Sequence, residues 1–248
     1  MNMSAPKALP QIFAEFGNEL PVSQREVDFL STSGHVWELA YHGQADKVVA
    51  RLKNSDPEQR ADILAMPYAV AGLAHRGQAD KLVALIMELS PDQQTDVLKA
   101  HGAVWGLALG GQADKVVALI AQLKPDQQMF VFFQPDVVLG LAITGQTDKV
   151  IAIIDQMKPE QRAEVLAERR NLAELASKGH ATKIVTWIDA MQPELQATLM
   201  AVPDVVTGLN NNGQAAVVKR IQASLEAGRE ATRSALPFKP GAPTATPS

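Results

Sequence analysis

Gly-Gln-Ala-Asp-Lys begins at Gly43, Gly77 and Gly111, recurs as Gly-Gln-Thr-Asp-Lys at Gly145, and weakens to Gly-His-Ala-Thr-Lys at Gly179 and Gly-Gln-Ala-Ala at Gly213. Each start follows the last by 34 residues. A fixed period of this size signals supersecondary units, each too small to bury its own apolar face and so stacked on its neighbours. Few other folds are open to such a chain.

Other columns keep the register. Pro57, Pro91, Pro125, Pro159 and Pro193 each stand 14 residues after a glycine and precede Asp or Glu. Proline at the first helical position removes a donor that would be orphaned there, and the acid suits the positive end of the helix dipole. A helix is therefore expected at every proline. Val116, Val117, Leu119, Ile120 and Leu123 form one helical stripe, Val131 and Phe132 a second, and Val137, Val138, Leu141 and Ala142 a third. The unit is two helices, or three if the proline breaks the longer one. Gly72, Gly106, Gly140 and Gly208 fall inside the last block, at a cost of about 1 kcal/mol each in helix propensity. Close backbone approach is the expected compensation.

These columns predict an all-α chain, a right-handed α-solenoid of about six units. Three regions follow: residues 1–22 as an N-terminal arm, 23–227 as the repeat domain, and 228–248 as a Pro-rich disordered tail. Residues 23–42 match the second half of a unit, with Phe29 and Leu30 where Val97 and Leu98 fall later, and so form a cap. At the far end a helix is expected from Gln214 to about Ala227.

Composition narrows function. Hydrophobic residues at 46% suffice for a continuous core, and a net charge of −4 lacks the basic excess of most nucleic-acid or anionic-membrane proteins. With no cysteine there is no disulfide framework or thiolate metal site. No window is expected to reach the length of a membrane span. A cytoplasmic monomer is the default reading. The Ser/Ala/Pro-biased N-terminus also admits a type III secretion signal, which would place the chain in a host cell.

The run from Leu107 to Ile120 resembles the helix-turn-helix core of tetratricopeptide-type repeats, which share the period and a small-residue turn. Asp136-Val-Val-Leu-Gly-Leu-Ala, followed by Ile143-Thr144 and Gly145-Gln146, is similar to the DNA-reading repeats of transcription-activator-like effectors. Leu98-Lys-Ala-His-Gly102 resembles the end of such a repeat, and the likeness runs from residue 36 to about 222. In that family the pair before the turn reads one base per repeat and a nearby lysine touches phosphate.

The pairs in question are Tyr41-His42, His75-Arg76, Leu109-Gly110, Ile143-Thr144, Ser177-Lys178 and Asn211-Asn212. They vary completely between constant flanks. The lysines are Lys47, Lys81, Lys115, Lys149 and Lys183. Of the first positions only His75 and Asn211 match the effector family's His or Asn, and Ala-Asp or Thr-Asp separates most of the lysines from the turn. No base code is carried over. Asp46, Asp80, Asp114 and Asp148 precede four of the lysines, which predicts a nearly neutral edge of locally paired charges.

Trp37 and Trp105 share one column and read as large core fillers, as do Trp187, Met157 and Met191. Met129-Phe-Val-Phe-Phe133 also reads as core, and Arg169-Arg170 as surface. The histidines (His35, His42, His75, His101, His180) show no metal-site spacing, and no nucleophile, phosphate-loop or dinucleotide pattern occurs. The expectation is a non-enzymatic scaffold without cofactor or metal, binding a protein along the variable-residue face. The rival expectation is a nucleic-acid-binding array contacting double-stranded DNA or RNA.

Overall fold

The computed structural model describes residues 24–32, 34–168 and 170–235, and these are helical with no strand among them. The N-terminal arm, Arg169 and the tail beyond Ala235 lie outside the described residues.

Three helices separate successive turn glycines. The glycine-led helices are Ala45–Asn54, Ala79–Met87, Ala113–Gln122, Thr147–Asp155 and Ala181–Asp189. The proline-led helices are Pro57–Leu64, Pro91–Leu98, Pro125–Phe132, Pro159–Ala167 and Pro193–Met200. The third helices are His35–Tyr41, Ala69–Leu73, Ala103–Leu107, Val137–Ile143, Asn171–Leu175 and Pro203–Asn211. Each proline occupies the first turn of its helix, so it does break the longer helix. Third helices pack on one another in succession, as do proline-led helices, with Gln24–Leu30 at the head of the second row.

Glycine is required at the turn for a stated reason. Gly43, Gly111 and Gly145 have φ of 77°, 82° and 82°, and the chain closes around them. Gln44 N–H donates to the Leu39 carbonyl (2.8 Å) and Gly43 N–H to Ala40 (3.0 Å), a pattern repeated at Gln146 and Gln214. This is the Schellman end of a helix, in which a left-handed residue satisfies the last carbonyls. The two residues before the glycine thus occupy the final helical turn.

A second device lies two and three residues after the prolines. Lys124 N–H donates to the Gln127 side chain, which in turn donates to Asp92 of the preceding unit at 2.7 Å. Gln161 does the same with Lys158 and Asp126. Next to them Arg60, Gln94, Gln128, Arg162 and Gln196 turn back onto carbonyls at the end of the glycine-led helix. Side chains thereby satisfy groups that a short helix leaves open.

The inward columns are sealed. Leu39, Leu73, Leu107, Leu141, Leu175 and Leu209 are fully buried, as are Val48, Leu82, Val116, Val150 and Ile184. The interior glycines touch backbone, as expected. A methyl group on Gly106 would sit 2.6 Å from Ala71 Cα, and one on Gly140 3.1 Å from Trp105 Cα. Third helices approach too closely there for any side chain.

Two expectations need correction. The last helix runs from Ala215 to Ala235, past the expected end near 227, because Ala, Glu and Arg are strong helix formers and no proline intervenes before Pro237. The stretch Ala103–Gln122 is apolar and long enough by composition to span a membrane, with a mean hydropathy of 1.3. Gly111, at φ 82°, divides it into two helices that pack on each other.

Candidate binding face

The third helices pack in one row, and their last turns carry the variable pairs. Tyr41 is 65% exposed, Leu109 55% and Ile143 45%; His42, His75, Arg76, Gly110, Ser177, Lys178 and Asn211 are also exposed. Thr144 and Asn212 are half-buried instead, their side chains donating to the Gly140 and Gly208 carbonyls at 2.8 Å. Those two residues serve the helix end. Arg76 spans two units: its guanidinium lies 5.2 Å from the Tyr41 ring centre and donates to the Tyr41 carbonyl at 3.0 Å.

The tryptophan column departs from its expected role. Trp37 is 40% exposed and Trp105 half-buried, because the backbone of this column packs against the glycine of the next third helix and leaves the indole lying across the surface. Trp187, Met157 and Met191 are buried as expected, and the Trp187 indole N–H donates to Asp155 at 2.7 Å. The Met129–Phe133 stretch is also only partly core. Val131 and Phe132 point inward, whereas Phe130 and Phe133 stand in solvent, since four successive helical positions cannot all face one side.

Trp37 and Tyr41 are four residues apart on one helix, as are Trp105 and Leu109, so each pair shares a face. Between the two pairs the same positions hold Ala71 and His75, and the small residues open a groove of about 720 Å³. Trp37 and Trp105 form its sides, Ala71, Gly72 and Gly106 its floor, and Tyr41, His75, Arg76 and Leu109 its rim. Tyr68 extends the aromatic surface, edge-on to Trp37 (6.3 Å between ring centres) and to His101 (4.8 Å).

Tyr68 also has a left-handed backbone, φ 63°, at a position where two other units use Gly34 and Gly102. A side chain there costs roughly 1–2 kcal/mol. Its N–H reaches across to the His101 carbonyl at 3.1 Å. Arg170 repeats the conformation at φ 74° away from the groove. Tyr68→Gly should therefore be more stable than Tyr68→Ala by about 1 kcal/mol and unfold at a higher temperature, since alanine loses the ring but keeps the strain. Equal melting of the two variants would remove strain from the account.

Three of the five column lysines pair with an aspartate of the preceding unit and not with one beside them in sequence. Lys81 binds Asp46 (3.1 Å), Lys149 binds Asp114, and Lys183 binds Asp155 (2.9 Å). Asp114 is held below the usual carboxylate pKa by its hydrogen bond to Lys149, and Asp155 by Lys183 and the Trp187 indole. Lys47 and Lys115 make no ion pair among the described residues. Also among those residues, no three His, Asp or Glu side chains converge as a metal site would require.

Four of the five Trp and Tyr residues in the chain lie on this one face. The signal was present in the sequence as a four-residue offset between two columns. No family model matches the chain, and no curated protein matches it either.

Proposed function

We propose that this chain is a non-enzymatic binding scaffold, a right-handed α-solenoid of about six units, that holds a protein partner against the third-helix face. One observation carries the reading. Tyr41 and two of the three tryptophans line a groove, partly exposed, with Tyr68 edge-on to Trp37 beside it, in a chain whose aromatic content is 5%. Tyr, Trp and Arg dominate the energetics of protein interfaces, where each buries a large area at small entropic cost. The part of each side chain left in water adds nothing to the apolar burial that stabilises the fold. The groove suits a partner that offers an apolar or aromatic anchor.

The nucleic-acid reading draws less support. Phosphate recognition needs cations presented in excess, and three of the five lysines face an aspartate of another unit. Such exposed pairs are weak, about 0–1 kcal/mol, so phosphate could displace them. The aspartates would still remain and keep the edge near neutral.

The two readings separate in one pair of measurements. Capture from lysate should recover a protein whether or not nuclease is added, and the Tyr41→Ala variant should recover less of it. Labelled double- and single-stranded DNA and RNA should show no binding that survives moderate salt. Binding that weakens steeply with salt, and loses about one unit of slope when Lys115 is replaced, would install the nucleic-acid array instead.

A further inference from the structure

A second surface stands apart from the groove. Each proline-led helix turns the first and fifth residues after its proline to solvent as one stripe, and in three of the five helices the eighth, Lys99, Phe133 and Ala201, continues it. In neighbouring units the first two members of that stripe are acids, all exposed: Glu58 and Asp62, Asp92 and Asp96, Glu160 and Glu164. Proline-led helices pack side by side, so these stripes lie next to one another. In the helix Pro125–Phe132 the pattern changes. Phe130 takes the place of the second acid and Phe133 the next stripe position, 53% and 48% exposed.

Of the six acids only Asp96 is ion-paired among the described residues, with Lys99. Arg60 is buried and turned onto the Leu52 and Ser55 carbonyls, Arg162 onto the Met157 carbonyl, and Lys99 is held by Asp96 at 2.6 Å. Lys124 and Lys158 edge the face. The result is two phenyl rings projecting from the middle of a carboxylate-rich ribbon. An apolar centre inside a rim of one charge selects both a shape and a sign of partner.

We propose that this ribbon is a second docking surface, and that its occupant is a basic amphipathic segment of a partner protein. Apolar side chains of the segment cover Phe130 and Phe133, and its lysines or arginines meet the flanking carboxylates. A second copy presenting the same face would set carboxylate against carboxylate, which disfavours self-association there.

The test uses the full chain and three labelled peptides of roughly four helical turns. One is built of Leu and Lys with leucines at helical spacing, one is its scrambled isomer, and one replaces Lys by Glu. The amphipathic Leu/Lys peptide should bind about tenfold tighter than the scramble, more weakly as salt rises. Phe130→Ala/Phe133→Ala should abolish that advantage, and Phe130→Leu/Phe133→Leu should keep part of it. Trp37→Ala should leave it unchanged, which separates this surface from the groove. Equal binding of the amphipathic peptide and its scramble, equal binding of the Leu/Glu peptide, or full affinity in the double alanine variant would each overturn the proposal. None of those outcomes touches the third-helix reading. Both phenyl groups are half in solvent, so circular dichroism should show the alanine variant folded.

Discussion

Leu107→Ala should lower the stability of the whole chain by about 2–5 kcal/mol. Leu107 is fully buried in the middle of the row of third helices, beside Gly106, whose contact with Ala71 holds two helices too close to shift inward. The cavity left by the side chain therefore stays largely open, which places the cost in the upper part of that range. Denaturant unfolding followed by circular dichroism measures it as a lower midpoint. On the proposed solenoid reading each unit leans on its neighbours, so weakening a central one also threatens the coupling between the two halves. A reduced slope, or two separated transitions, would show that coupling failing. An unchanged midpoint would mean that the inward face has been assigned to the wrong side of the third helices.

Trp37→Ala should weaken partner binding by about 2 kcal/mol or more, roughly thirtyfold, while leaving the fold close to intact. The fold should tolerate it because Ala71 and Ala173 already occupy the same column, with Gly106 and Gly208 packed against them. What alanine removes is the exposed indole that forms one side of the groove and meets Tyr68 edge-on. Titration of the captured partner against the wild-type chain and the variant, with thermal unfolding of both, gives the two numbers needed. Trp37→Phe should recover part of the affinity by restoring an aromatic side. If Trp37→Ala and Tyr41→Ala both bind as the parent does, the groove is not where the partner sits.

The turn glycines, the proline starts and the interior glycines could be placed from the sequence because each depends on backbone rules within a few residues. A Schellman end needs a left-handed residue, a helix start tolerates proline, and a glycine that weakens a helix asks for a close neighbour. Gly43, Pro125 and Gly106 all behave accordingly. The exposure of most variable-pair residues followed from the same logic, since they occupy the last turn before the glycine, although Thr144 and Asn212 fold back onto the helix end.

The direction of a large side chain did not follow. Trp37 and Trp105 recur at the period of a buried column, and size with periodicity reads as core. In the fold Gly72 and Gly140 meet both the backbone and the ring edge of these tryptophans, so the indoles lie across the neighbouring helix with part of each in solvent. Phe130 and Phe133 were misread for the related reason that an apolar run says nothing of which members face in.

The lysines show the same division. Their ladder and the aspartates beside it could be read from the chain, yet the partner of Lys81 is Asp46 and not Asp80, a choice made by the lateral offset between stacked units. By itself, then, the sequence determined the class, the period, the helix starts at the prolines, the turns at the glycines and the buried leucine column, all set by the chemistry of residues within one unit. Tertiary structure alone decided which aromatics reach solvent, which charges neutralise each other, and where a groove opens, because each depends on how one unit is displaced against the next.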